Sequence, residues 1–87
     1  MRLDKFLQAA GIFKRRAAAK EACEQGRVLV DNTVARPARE VSAGQKIDIR
    51  AGGRRLVAEV LQVPVGNVAK GSRSQFIRIA EHEDTGE

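Results

Sequence analysis

Seven cations fall within the first 27 residues: Arg2, Lys5, Lys14, Arg15, Arg16, Lys20 and Arg27. Three of them are consecutive, Lys14-Arg15-Arg16. The chemistry such a set can do is to hold anions. Guanidinium groups grip phosphate through paired donors, and ammonium groups act as point charges. The triplet sits at the predicted start of a helix. There the positive end of the helix dipole disfavours each cation by about 0.3–1 kcal/mol. Unpaired backbone N–H groups at the same end attract phosphate, so a docked polyanion would offset that cost. With three Phe and no Trp or Tyr, stacking of single-stranded bases is poorly supplied. Folded RNA, read by shape, phosphates and 2′-hydroxyls, is the better match. A charged helix face with no partner but solvent has a similar pattern, and an acidic protein could also meet such a face.

Other residue sets offer no catalytic chemistry. Gly52-Gly53-Arg54-Arg55 lacks the following helix and the Lys-Ser/Thr ending of a phosphate-binding loop, and reads as a hairpin turn. Asp4, Asp31 and Asp48 are scattered. Asp48 alternates with Ile47 and Ile49 on a strand and is expected to face solvent. His82 lies in the acidic tail and is expected to be solvated. One cysteine rules out an intramolecular disulfide framework and a cysteine-rich zinc site, and Cys23 reads as a core residue. The expectation is a protein that is not an enzyme, with no metal and no cofactor.

The elements that must position the cations are two short helices. Leu3, Phe6, Leu7 and Ala10 are spaced i, i+3, i+4, i+7, the mark of one buried helix face. Asp4 sits in the first turn, where the dipole favours a carboxylate. Gly11 suits the left-handed residue that ends a helix, and Ile12 and Phe13 bridge to the next. The second helix is predicted from about Lys14 to Gln25, stopping at Gly26. Ala18, Ala19, Ala22 and Cys23 form its small-residue buried arc. Arg16 and Lys20 share the flank, and no good N-cap residue precedes it.

The remainder reads as strands: Arg27–Val30, Gln45–Arg50, Leu56–Val63 and Phe76–Ile79. Asp31-Asn32, Ser42-Ala43-Gly44 and Gly52-Gly53 are turns, Pro37 lies in irregular chain, and 66–74 is a loop carrying Lys70 and Arg73. The fold class is α+β: two N-terminal helices packed on a small, mostly antiparallel sheet of four to five strands. Eighty-seven residues make one domain, set at 1–80, with 81–87 as an acidic flexible tail.

Charge locates the partner. Net charge is +5 and the pI about 10.1. Residues 1–55 hold 13 Lys/Arg against 6 Asp/Glu, a net of +7, and residues 56–87 hold 3 against 5, a net of −2. The anion-binding face therefore belongs to the N-terminal part. No apolar run nears the roughly 20 residues needed to span a bilayer, and no long apolar leader opens the chain. A cytoplasmic protein with no membrane partner is expected.

Arg16, Ala19, Ala22, Cys23, Gly26 and Val28-x-Val30, followed by Val41-x-x-Gly44-Gln45-x-Ile47, resemble the pattern of the S-four RNA-binding domain, or αL motif. Gln45 replaces the usual Asp, and Asp31-Asn32 stands where Asn-Gly is common, which implies a differently shaped hairpin. The match covers roughly residues 1–50. The opening MRLDKFL, with KRR and GRV after it, resembles the small stand-alone RqcP-like members of ribosome-associated quality control. That resemblance implies an adaptor on the large ribosomal subunit obstructed by peptidyl-tRNA. Such an adaptor would contact rRNA and tRNA and support alanine tailing of the stalled chain beside a tailing factor. The resemblance carries RNA binding to Arg2, Lys5, Lys14, Arg15, Arg16 and Lys20; the charge pattern adds Arg27 to the expected RNA-binding set, and a monomer is expected. The related ribosome-binding heat-shock protein also begins R-L-D-K, with Trp where this chain has Phe6, and it has a long basic extension where this chain has an acidic stub. It implies the alternative of a general rescue factor for free large subunits.

Overall fold

The computed structural model describes residues 1–51, 53–63 and 73–84. Its order is α1 (Leu3–Ala9), α2 (Arg16–Glu24), β1 (Val28–Val30), β2 (Thr33–Val34), β3 (Lys46–Ala51), β4 (Arg54–Val60), α3 (Arg73–Phe76) and β5 (Ile77–Asp84). The five strands form one antiparallel sheet in the order β2-β1-β3-β4-β5. This is the α+β arrangement expected, with the upper strand number.

The predicted face of α1 is the centre of the core. Leu3, Phe6, Leu7 and Ala10 are fully buried, and α1 packs on α2. From the sheet, Val28, Val30, Ile47, Ile49, Ala58 and Val60 join the same cluster, and Ile12 and Phe13 pack against its edge. Gly11 takes φ 77° and ends α1, a conformation that costs a residue with a Cβ.

Helix α2 is shorter than predicted. Arg15 is its N-cap in extended conformation, with no side-chain cap hydrogen bond. Ala19, Ala22 and Cys23 are buried, but Ala18 is exposed. On the wheel Ala18 lies about 40° beyond Ala22, far enough round to leave the contact with α1 and the sheet. Burial, with help from the Asp4 and Glu24 charges, pushes the Cys23 thiol up to about 11, so it stays protonated as a packing residue.

Strand β2 was not anticipated. It forms because Asp31 and Asn32 take φ 50° and 68°, which a two-residue type I′ loop requires. Asp and Asn tolerate this region better than other residues with a Cβ. Asp31 also accepts the Lys46 N–H at 3.0 Å through Oδ1. The departure from Asn-Gly is thus absorbed within a tight hairpin.

Two further expectations are corrected. Strand β5 continues to Asp84, opposite Arg54, after a register shift at Val57/Ala58. Residues 81–84, assigned to a frayed tail, are paired with β4, because the bulge lets the ladder resume. Residues 85–87 and the loop region 64–72, with Lys70, lie outside the described residues, and Arg73 opens the short α3.

Asp48 is not solvent-facing. It is 5% exposed. Both its oxygens accept from the Arg55 guanidinium, Nη2 at 2.9 Å and Nε at 3.1 Å to Oδ2, and Arg50 lies at 3.5 Å. Arg50 and Arg55 are cross-strand partners, and the carboxylate bridges two cations that would otherwise repel. Leu29 and Val57 are its partners on the two neighbouring strands, which strand alternation alone does not reveal. Burial would raise the Asp48 carboxyl, but the hydrogen bonds from Arg55 and Arg50 prevail and hold it below the usual carboxylate range. A depressed folded-state value means that the stabilisation is present above the unfolded value, about pH 4, and fades as pH falls through the folded one. Asp48→Asn is therefore expected to cost about 1 kcal/mol at neutral pH, a modest figure because the arginines are partly exposed. Thermal melts of both proteins should converge below about pH 4. A gap that stays constant down to pH 2 would disprove the assignment.

Candidate RNA interface

The residue that organises the cations is Asp4. Its side chain is 2% exposed, yet it lies beside two half-exposed arginines. Arg2 approaches it through Nε at 3.3 Å and Nη2 at 3.3 Å, and Arg16 through Nε at 3.4 Å. Asp4 Oδ1 also accepts the Lys5 backbone N–H at 2.8 Å. Asp4 and Arg16 are twelve positions apart in sequence, and the packing of α1 on α2 closes that distance. Two guanidiniums on one carboxylate leave an excess positive charge. Each also keeps donors turned away from Asp4, since a guanidinium has five.

The chain beyond β2 holds this arrangement from the other side. The first N–H groups of a helix have no partner within it. Here Leu3 N–H donates to the Arg39 carbonyl at 2.7 Å and Asp4 N–H to the Pro37 carbonyl at 3.2 Å. Arg2 forms an isolated bridge with Glu40. The irregular segment around Pro37 therefore caps α1 and fixes Arg2.

The predicted cations divide into groups. Arg2 and Arg16 meet at Asp4. Lys20, exposed one turn beyond Arg16, lines a groove with Arg2. Lys5 extends from the exposed side of α1, and Lys14 and Arg15 are exposed at the start of α2. Arg27 is set apart beyond the far end of α2, which is about 13 Å long at 1.5 Å per residue. Its Nε donates to Gln25 Oε1 at 2.8 Å. Sequence reasoning missed the anchoring role of Asp4, taken only as a dipole partner, and it missed Arg36, which lines the same groove. Neither has a local signal, since both depend on contacts between distant segments. Among the described residues no group of three His, Cys, Asp or Glu could hold a metal, and no helix is long and apolar enough to cross a membrane.

Residues 1–47 match the family profile of the S4 domain. Over 83 residues the chain is 44% identical to the RQC P-site tRNA stabilizing factor of Halalkalibacterium halodurans, covering 95% of this chain and 93% of that one. The chain belongs to the RQC P-site tRNA stabilizing factors, which it joins through an S4 domain. The Bacillus subtilis member of this family is 31% identical over 87 residues, with both chains fully covered. The fold of this S4 protein is shared by Vibrio cholerae Heat Shock Protein 15, with a TM-score of 0.82 and 28% identity, over 92% of this chain and 81% of that one. It is shared also by the hypothetical protein HP1423, with a TM-score of 0.78 and 33% identity, over 95% and 100%. The S4 match includes α1, α2 and the segment around Pro37, so the Asp4 cluster lies wholly inside it.

Proposed function

We propose that this protein is a non-enzymatic RNA-binding adaptor for the large ribosomal subunit obstructed by peptidyl-tRNA. It steadies the P-site tRNA, contacts rRNA, and supports alanine tailing of the stalled chain by a tailing factor. It works as a monomer in the cytoplasm. The observation that carries this reading is the Asp4 cluster: a buried carboxylate orients Arg2 and Arg16 on a face that also presents Lys20. Fixed guanidiniums lose less entropy on meeting phosphate than mobile ones. The names borne by the relatives supply the ribosomal context. Lys5, Lys14 and Arg15 extend the contact, and Arg27 adds charge at its margin.

Binding to purified large subunits carrying peptidyl-tRNA, measured across salt concentrations, tests the reading. Each phosphate neutralised adds roughly −0.7 to −0.9 to the log–log slope. Arg16→Ala with Lys20→Ala should flatten that slope by about 1.5 and weaken binding throughout. An unchanged affinity and slope would place the RNA elsewhere on the molecule.

The likeness to Heat Shock Protein 15 favours one second reading, a general rescue factor for free large subunits. Affinity purification of the protein from cells separates the two. Tailing factor and peptidyl-tRNA should co-purify under the first reading. Free subunits without the tailing factor support the second.

A further inference from the structure

Between α2 and the segment from Val34 to Ala38 lies a groove of about 530 Å³, within the roughly 300–1,000 Å³ of sites that take a single small ligand. Its floor contains the buried Cys23 and Ala35 and the exposed backbone of Gly26. Gly26 has φ 73°, and a Cβ there would point to within 3.9 Å of Val34, so a side chain at 26 would narrow the groove under strain. Two apolar faces line it: Val34, 58% exposed, and the half-buried Pro37. Together they give the groove an apolar wall opposite its charged one.

The polar lining is lopsided. Arg2, Lys20 and Arg36 bring three cations, against one carboxylate, Glu24. Among the described residues neither Lys20, Arg36 nor Glu24 has an ion-pair partner. Arg2 and Lys20 belong at the same time to the RNA face, so the groove continues that face. The ligand that complements this lining is anionic, has an apolar face, and offers donors to a carboxylate. A nucleotide swung out of a bulge or loop meets all three conditions. Such unstacked bases are the usual targets of sequence-specific RNA recognition. Guanine alone among the four bases presents two adjacent donors on its Watson–Crick edge, N1–H and the N2 amino group, and an ionised carboxylate only accepts.

We propose that the groove binds one unstacked guanosine nucleotide of the bound RNA. Its phosphate lies among Arg2, Lys20 and Arg36, its base lies against Val34 and Pro37, and its N1–H and N2–H donate to Glu24. The proposal rests on the RNA-binding reading above and adds to it a place where a base, and not only the backbone, is read.

The test uses the whole protein and three RNA hairpins sharing one stem: fully paired, with a single bulged guanosine, and with a single bulged adenosine. Fluorescence anisotropy at fixed salt reads the affinities. The guanosine-bulged hairpin should bind about tenfold tighter than the paired one, and the adenosine bulge should gain much less. Arg36→Ala should remove most of the bulge advantage while weakening the paired hairpin only a few-fold. Glu24→Gln should erase the preference for guanosine over adenosine while tightening all three hairpins slightly, because it removes a negative charge beside Arg2, Lys20 and Arg36. Both substitutions are at exposed positions, so folding survives them. The proposal is overturned if the bulges give no gain, if Arg36→Ala weakens all three hairpins alike, or if no hairpin binds. In each case the salt-dependent binding to large subunits still decides the RNA-binding reading by itself.

Discussion

Asp4→Ala raises the net charge of the protein by one and should nonetheless weaken RNA binding by about tenfold, or 1.4 kcal/mol. If the basic face worked by charge alone, removing a carboxylate from its centre would strengthen binding. The geometry points the other way. Asp4 holds Arg2 and Arg16 at 3.3 and 3.4 Å. Without it, two half-exposed guanidiniums regain their rotamers and must be ordered again by each RNA. Stability falls as well. The Lys5 N–H loses its acceptor, and loss of such a hydrogen bond costs about 0.5–1.5 kcal/mol. Breaking the ion pairs adds only a little, because solvent can reach both arginines. Asp4→Asn separates the two effects. It keeps an oxygen for the Lys5 N–H but gives up the charge, so it should melt near wild type and still bind weakly. Binding equal to or tighter than wild type by Asp4→Ala, once folding is confirmed by circular dichroism, would reduce the face to simple electrostatics.

Phe6→Ala should be the most damaging single truncation for the fold. Phe6 is the largest fully buried side chain and lies in the core cluster beside Leu3 and Leu7. Emptying such a site costs about 3–5 kcal/mol, the sum of lost transfer energy and the cavity left behind. A domain of this size has little more in reserve. At about 4–8 °C per kcal/mol, the midpoint of thermal unfolding should drop by about 15 °C or more, and at 37 °C much of the protein would be unfolded. Phe6→Leu, which leaves a far smaller void, should cost about 1 kcal/mol. Calorimetry on the pair checks the ratio. A small loss for alanine would mean that α1 is not seated on the sheet as described.

The contrast between Phe6 and Asp48 shows where sequence reading works and where it stops. Leu3, Phe6, Leu7 and Ala10 repeat with the helical period, and periodicity is a local property that any stretch of chain displays. The glycines at 11 and 26 mark helix ends for the same reason. Val28 and Val30, and Ile47 and Ile49, alternate as strand residues facing a core should. Asp48 obeys that alternation too, and was misread. The guanidiniums that pair with it come from Arg50 on its own strand and from Arg55 across the hairpin, a partner that only strand register supplies. Asp4 is the same case on the functional side. The cations were visible as a cluster in sequence, but the carboxylate that aims two of them joins residues 2, 4 and 16 through helix packing. Arg36 gives no such signal, because it precedes a proline in irregular chain outside the cation-rich helices. Strand β5 ran past its expected end because a bulge, which has no sequence signature here, restores its pairing.

The capping of α1 by the carbonyls of Pro37 and Arg39 also sets the order in which this protein can become active. Seven residues are too few to hold a helix in water by themselves, where about 12–15 are needed. The partners for its first two amides arrive more than thirty positions later in the chain. Closing a loop of that length is entropically tolerable, but it cannot happen before the later segment exists. A copy still being synthesised therefore has no ordered arginine pair until about residue 41 has left the ribosome that makes it. A peptide of the basic helices alone should be a poor substitute for the domain, however well its charge is preserved.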